Sequence, residues 1–251
     1  MPVLPQQPRN LTEILSASFK LYTESFTKVI GYSLIMFVVN KLLTSFILDA
    51  MPAVDSTLTP DAQMEEQMAA IVQIMPSLLV VTFVAAVCSC IFYSAMIYRI
   101  DNVANGRADD FVEVLLLAVK KFPAVILAGI LYTIAITVGT FLLVIPGIIL
   151  MISLMFFWYF ILLEGMNAYD SLMASHRLVW GDWWRTNIVF FVPGFIFFII
   201  LLVILFFGAL ITDPNSNTLN TGSELLGAFV TPYFYALVYL QYHDLKLRKN
   251  M

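Results

Sequence analysis

Long apolar runs alternate along the chain with short segments that carry most of the charges. Residues 67–98, 122–163 and 186–212 contain no charged side chain, and two further apolar runs cover residues 29–48 and 225–243. A transmembrane helix needs about 20 mostly apolar residues to cross roughly 30 Å of hydrocarbon. Each run is therefore long enough to cross a membrane at least once.

The run over residues 122–163 is long enough for two crossings. As one helix it would extend about 63 Å, and it contains Pro146-Gly147, which we predict to be a tight outer turn. The pattern predicts an all-α fold, a polytopic membrane helix bundle of about six transmembrane helices in three hairpins. The expected spans, within one integral membrane domain over 1–251, are about 29–48, 77–98, 124–144, 147–163, 187–211 and 225–242.

The basic residues predict the orientation of these spans. Twelve of the thirteen Lys and Arg residues lie in the N-terminal segment, in two connecting segments and in the C-terminal tail. The other two loops, 49–76 and 212–224, contain no basic residue and seven acidic ones. Because basic loops stay in the cytoplasm, both termini are expected to be cytoplasmic.

Each cytoplasmic segment shows a helical pattern before the next span begins. Asn10 and Glu13 have the spacing of a capping box at the start of the first such helix. We expect three cytoplasmic helices that lie in the membrane interface. Their apolar positions are Leu11, Leu15, Phe19, Tyr22 and Phe26; Phe111, Leu115, Leu116 and Val119; and Leu172, Met173, Leu178 and Val179. On the outer side, Pro60 and Asp61 are expected to start a short amphipathic helix.

Composition excludes several classes of protein. Hydrophobic residues make up 61% of the 251 residues and charged residues 12%, and the mean hydropathy is +0.89. A soluble enzyme, a disulfide scaffold or a disordered chain would not have this composition. The net charge of −4 argues against nucleic acid as a partner. The polar, proline-rich first residues predict insertion without a cleaved signal peptide.

The residues that usually carry chemistry do not form a recognisable site. Cys88 and Cys90 are two positions apart on a helix and point in different directions. His176 and His243 lack the neighbours that a metal site requires. We therefore expect no catalytic residue, no metal site and no cofactor, and we do not expect an enzyme.

Lys41 is the one ionisable side chain well inside a predicted span, which makes it a candidate functional residue. No acidic residue lies within another span to pair with it. The alternative is that its aliphatic stem carries the ammonium toward the outer interface, near Asp49.

Two surface patterns suggest contact with lipid or with other helices. Gly129, Thr133 and Thr137 form a small-residue face, suited to packing within the bundle, to a homodimer seam or to a pore lining. A second set combines aromatic and basic side chains, which is typical of a membrane–water interface. This lipid-interface set, which anchors the chain or recognises lipid headgroups, consists of Arg177, Trp180, Trp183, Trp184 and Arg185.

One stretch carries a family resemblance. It contains Ile145-Pro146-Gly147-Ile148-Ile149, a further apolar run, Glu164-Gly165 and then a Ser-Leu-Met-Ala-Ser-His-Arg-Leu-Val-Trp sequence over 171–180. This pattern, about a fifth of the chain, resembles the YciC-like family of bacterial inner-membrane proteins. The resemblance implies a multi-pass protein of the Gram-negative inner membrane. The family has no assigned enzymatic reaction, so no functional residue is carried over.

These observations favour a non-enzymatic multi-pass inner-membrane protein that organises lipid or a protein partner in the bacterial envelope. The expected partners are membrane lipids, with a membrane-protein partner or a second copy as further expectations. The alternative is a transporter or channel for a small solute or a lipid. Pro193-Gly194 and Thr231-Pro232 interrupt two spans, as in transporters, but no carboxylate or basic cluster accompanies them. An enzyme with an unrecognised site is the third class.

Overall fold

The computed structural model describes residues 4, 7–50, 59–108, 110–211 and 217–251. These residues form eight α-helices and no strand. The helices are α1 (Leu11–Ala50), α2 (Pro60–Ala104), α3 (Phe111–Leu142), α4 (Val144–Leu154), α5 (Phe157–Glu164), α6 (Ala168–Val179), α7 (Trp183–Ile211) and α8 (Asn217–Lys249).

Six segments are long and apolar enough to cross a membrane, which agrees with the predicted all-α polytopic bundle. They are α1, α2, α3, the α4–α5 segment Val144–Leu163, α7 and α8. Each predicted span falls on one of these segments, although 124–144 runs two residues past the end of α3. The chain is a multi-pass membrane protein.

Contacts bring the basic segments of the chain to one end of the bundle. The backbone N–H of Arg9 donates to Asp244 near the C-terminus, at 2.6 Å. Tyr98, near the end of α2, donates to the carbonyl of Leu162, near the end of α5, at 3.1 Å. We call this the basic end. Both terminal segments lie there, as an even number of crossings requires.

The predicted interfacial helices are only partly correct. Asn10 and Glu13 form the expected capping box, because each backbone N–H is bound by the other side chain. However, α1 continues from Leu11 through the first span without a break, and α3 likewise continues from Phe111. No proline separates the amphipathic part of α1 from its apolar part, and the two parts form one helix. The helix expected at Pro60 also continues into its span, as α2.

The turn between the third and fourth spans lies three residues before its predicted position. Leu143 is extended, with φ −161° and ψ 141°, and α4 already begins at Val144. Pro146 is therefore inside the first turn of a helix, where a backbone N–H would have no intrahelical partner and proline is tolerated. Gly147 allows close packing instead, since a Cβ atom there would lie 2.9 Å from the Cα of Thr140. The tight antiparallel hairpin itself is present.

Candidate functional site

An open groove of about 620 Å³ runs between α2, α3 and the junction of α4 with α5. Its walls consist almost entirely of apolar side chains, and we call it the apolar groove. It is lined by Ala86, Cys90, Val125, Ile126, Gly129, Ile130, Tyr132, Thr133, Ile134, Met155, Phe157 and Trp158. The α3 part of the lining lies within the predicted third span, at the depth of the hydrocarbon.

A break in the helix shapes one wall of the apolar groove. Helix α4 ends at Leu154 and α5 begins at Phe157, so a normal helical ladder is interrupted between them. The hydroxyl of Ser175, on α6, donates to the carbonyl of Ser153 at 2.8 Å and accepts the N–H of Phe156 at 3.0 Å. A single buried hydroxyl thus satisfies two backbone groups freed by the break, as non-helical backbone at membrane depth requires.

The polar groups on the groove wall are bonded within the protein. The indole N–H of Trp158 donates to Ser94 at 2.9 Å, and the hydroxyl of Tyr132 donates to the carbonyl of Met151 at 3.1 Å. Thr133 donates to the carbonyl of Gly129 at 2.9 Å. Because these donors already have partners, the groove offers a hydrocarbon surface to its occupant.

The small-residue face of α3 borders this groove. Packing within the bundle, one of the three interpretations of Gly129, Thr133 and Thr137, is wrong: both threonines are exposed, and a side chain at Gly129 would meet open space. The close helix contact of α3 lies further along, where a Cβ atom at Gly139 would be 3.2 Å from the Cα of Gly147. Two interpretations of the face around Gly129 remain: a seam with a second copy of the chain, or a binding surface.

The lipid-interface set lies at the corner between α6 and α7, and its members divide into two groups. Trp180 is 63% exposed and Trp184 is 74% exposed, and Arg177 also faces outward. Trp183 is half-buried, with its indole N–H 3.3 Å from the carbonyl of Ile149 and its ring against Trp184. Helix α6 buries Leu172, Leu178 and Val179 within the bundle, so the prediction that these three residues face the membrane interface is wrong.

Arg185 faces the interior of the basic end. It donates to Asp244 at 2.9 Å, and Arg248 donates to the same fully buried carboxylate at 2.8 Å. Both arginines also donate to the backbone carbonyl of Arg9. Asp244 thus joins α7, α8 and the N-terminal segment. Arg185 therefore has a structural role within the protein, in addition to the contact with lipid that the sequence predicts.

Lys41 forms an ion pair that the sequence did not predict. Its ammonium lies 2.9 Å from the carboxylate of Glu224, and the two side chains are 28% and 43% exposed. Glu224 was assigned to the loop before the sixth span, but α8 begins seven residues earlier, so the two charges meet between helices. Glu224 is therefore an acid that pairs with Lys41, and the side chain of Asp49, named in the alternative, lies outside the described part of the chain.

A second group of charges at the basic end is paired internally. Asp101 accepts hydrogen bonds from Tyr239 at 2.7 Å, from Asn105 at 2.9 Å and from Arg107 at 2.8 Å. Glu164 accepts from Tyr242 and, at 2.8 Å, from Lys246. These bonds connect α2, the end of α5 and α8. Within the described part of the chain, no group of three His, Cys, Asp or Glu residues is arranged to hold a metal ion.

Comparison of the chain with protein-family models, with curated proteins and with solved structures finds no match. The fold and the apolar groove therefore provide the basis for a functional proposal.

Sequence reasoning named three residues of the groove, Cys90, Gly129 and Thr133, but did not predict that they lie together in one groove. Ala86 and Cys90, four positions apart, show the spacing of a helix face. The break at Met155–Phe156 contains no proline or glycine that would mark it in the sequence. The residue that stabilises it, Ser175, is about twenty positions away. A contact between distant residues leaves no local signal.

Proposed function

We propose that this protein is a non-enzymatic membrane protein that binds a lipid acyl chain in the apolar groove and organises lipid in the bacterial inner membrane. The observation that carries the proposal is the groove itself: an open volume of about 620 Å³ at hydrocarbon depth, whose polar groups are bonded inward. An acyl chain is the ligand that such a surface favours, because it needs no hydrogen bonds.

The position of the groove supports a lipid rather than a protein as the occupant. Its walls include the face around Gly129, where an added side chain would meet open space, and the rings of Phe157 and Trp158. The lined part of α3, residues 125–134, extends about 14 Å along the helix. An acyl chain lying in the groove would contact walls from α2, from α3 and from the α4–α5 junction. A second helix would instead need a longer contact surface.

The α6–α7 corner fits the same proposal. Trp180 and Trp184 are amphipathic rings exposed where the chain leaves the predicted cytoplasmic segment, and Arg177 is exposed beside them. Anionic headgroups attract such a basic residue by about 1 kcal/mol. We propose that this corner holds the protein at the headgroup level of the cytoplasmic leaflet, with both termini in the cytoplasm. We also propose that the chain is a member of the YciC-like family.

Filling the groove tests the proposal. The substitution Gly129→Phe places a ring in open space within the groove, and Gly194→Phe on α7 is a matched control, since a side chain there also meets open space. Both variants would be purified in mild detergent and their bound lipids counted by native mass spectrometry. We expect bound lipid in the wild type and in Gly194→Phe, and its loss in Gly129→Phe.

Two results would contradict the proposal. Equal lipid binding by all three proteins would show that the bound lipid does not occupy the groove. Loss of a dimer, rather than loss of lipid, in Gly129→Phe would show that the face around Gly129 is a seam between two copies.

A transporter for a small solute is the second candidate, and a different observation favours it. A polar cavity lies between α1, α2 and α8 and reaches the carboxylate of Glu224. Polar side chains that face a cavity at membrane depth are typical of solute sites. Transport would be supported if a solute that binds in this cavity entered proteoliposomes containing the wild type, and did not enter those containing a variant with a substituted cavity residue such as Glu224.

A further inference from the structure

The polar cavity has a volume of about 340 Å³ and is separate from the apolar groove. Two of its walls come from α1 and α8, and Tyr93 of α2 completes it. The lining consists of Ser33, Met36, Phe37, Asn40, Thr44, Tyr93, Glu224, Gly227, Ala228 and Thr231. The two ends of the polar cavity and its middle differ in chemistry, and together they determine which ligand it accepts.

The cavity is elongated along the helices. Ser33 and Lys41 are eight residues apart on α1, which corresponds to about 12 Å. Glu224 and Thr231 are seven residues apart on α8, or about 10 Å. Because Lys41 pairs with Glu224, the carboxylate lies toward the Lys41 end of the cavity, and Ser33 lies toward the opposite end of the α1 wall. The cavity thus has an outer end at Glu224 and an inner end near Ser33.

The inner end contains a polar group without a partner. Ser33 is 3% exposed, and its hydroxyl makes no hydrogen bond to any residue that the structure describes. Serines in helices usually donate to a carbonyl one turn earlier, as Ser25 does to Leu21 at 2.7 Å. Leaving a buried hydroxyl unsatisfied destabilises the folded state. Ser33 is therefore available to a ligand, and a ligand would relieve this destabilisation.

The outer end already holds an ammonium group. Glu224 is the one charged side chain in the described lining, and the ammonium of Lys41 lies 2.9 Å from it, at the rim of the cavity. The carboxylate is 43% exposed and retains capacity to accept further hydrogen bonds. Asn40 and Thr44 add an amide and a hydroxyl to the lining near this end. An ammonium is thus the group that this end is built to bind.

The middle of the cavity is apolar. Met36, which is 2% exposed, and Phe37 lie on α1 between Ser33 and Asn40. On α8 the cavity is also lined by Gly227 and Ala228, which add no polar side chain. The order of chemistry along the cavity is therefore a carboxylate, an apolar stretch and a hydroxyl.

We propose that the polar cavity binds an elongated primary amine with a polar group at its far end. The ammonium pairs with Glu224 in place of Lys41, the carbon chain passes Met36 and Phe37, and the far polar group forms a hydrogen bond with Ser33. Lys41 acts as an internal substitute that keeps Glu224 paired when the ligand is absent. This site does not depend on lipid binding in the apolar groove.

Binding of simple amino alcohols to the full chain tests the proposal. The protein would be placed in nanodiscs of phosphatidylcholine and phosphatidylglycerol, so that no lipid amine competes, and titrated in a calorimeter. The probes are ethanolamine, 5-amino-1-pentanol and 8-amino-1-octanol, with 1,5-pentanediol as a control without an amine. We expect the two longer amino alcohols to bind more tightly than ethanolamine, and the diol not to bind.

Variants of the two ends sharpen the test. Glu224→Gln should weaken binding of 5-amino-1-pentanol by about tenfold or more, because a charge-assisted hydrogen bond is lost. Glu113→Gln, at an exposed acid of α3, is the matched control and should change nothing. Lys41→Met should tighten binding, since the competing ammonium is removed.

Ser33→Ala separates a ligand contact from a structural role. It should weaken binding of the longer amino alcohol that reaches Ser33, leave binding of an alkylamine of the same length unchanged, and leave the thermal stability of the free protein unchanged or higher. Equal binding of the diol and the amino alcohols, or unchanged binding in Glu224→Gln, would overturn the proposal. Absence of binding in both the wild type and Lys41→Met would also overturn it.

Discussion

Helices α7 and α8 follow one another in the chain, yet they are held in the bundle by different contacts. Helix α7 is the most apolar of the six spans and α8 is the least apolar. In the most apolar 18 residues of each helix, 11% are buried in α7 and 33% in α8. The helix with more polar residues is thus the more deeply packed one.

This inverse relation follows from the solvent. In a lipid bilayer an apolar side chain gains little by leaving lipid for protein, so apolar surface alone does not bring helices together. Polar side chains are costly in hydrocarbon and gain partners by packing. Helix α8 carries Tyr239 and Gln241 within the predicted span and Asp244 two residues beyond it, all fully buried, whereas the exposed residues of α7 are mostly Phe, Ile and Leu. Polar contacts therefore fix the position of α8, whereas much of the apolar surface of α7 is exposed, and we expect lipid to cover it.

The largest effect is expected from removing the central carboxylate of α8. Asp244→Ala leaves Arg185 and Arg248 without their buried partner and releases the backbone N–H of Arg9. Breaking a buried ion pair in this way costs about 3–5 kcal/mol. We expect a marked loss of unfolding free energy in detergent, measured by thermal or denaturant unfolding.

The matched control for this substitution is Asp61→Ala, at an exposed position in the first turn of α2. It should change the unfolding free energy by less than about 0.5 kcal/mol. If the two variants were equally stable, the buried carboxylate would not hold α8 in place, and the comparison with α7 would fail.

A smaller effect is expected at a single neutral hydrogen-bond donor of α8. Tyr239→Phe removes the hydroxyl that donates to Asp101 at 2.7 Å, while the ring contacts remain. The acceptor is charged, so the loss should be about 1.5–3 kcal/mol of unfolding free energy. Tyr169→Phe is the control, because Tyr169 is 64% exposed and its change should be close to zero. A loss as small as that of the control would show that α2 and α8 are joined by packing alone.

The smallest effect is expected on α7. Phe195 is 52% exposed, so Phe195→Leu should change the unfolding free energy by less than about 0.5 kcal/mol. The same substitution at the fully buried Phe160 of α5 should cost at least about 1 kcal/mol. A comparable loss at Phe195 would indicate that another protein chain, and not lipid, covers α7.

Much of the fold could be predicted because hydrocarbon thickness sets the length of every span. Run lengths gave six crossings, and the distribution of basic residues grouped the segments that meet at the basic end. The exact turn was not predictable from Pro146, because proline at the start of a helix and proline in a turn leave the same mark in a sequence. Its position at Leu143 depends on the close approach of Gly147 to Thr140, which is a tertiary contact.

The candidate sites were less predictable than the fold. Lys41 was identified as an unusual residue, since a charge within an apolar run is a local signal. Its partner Glu224 was not predicted because the apolar run of the sixth span begins at residue 225, whereas α8 already begins at Asn217. The apolar groove has no polar signature at all, so only the packing of α2, α3 and α5 could locate it.

The account depends most on whether lipid enters the apolar groove in a bilayer, and the fluorescence of Trp158 reports this directly. Replacing Trp180, Trp183 and Trp184 with Phe leaves Trp158, on the groove wall, as the single tryptophan. In vesicles whose acyl chains carry bromine, we predict strong quenching of Trp158, and a marked decrease in quenching when Gly129→Phe fills the groove. Trp158 fluorescence that is not quenched, or quenching that is the same with Gly129→Phe, would contradict lipid binding in the groove.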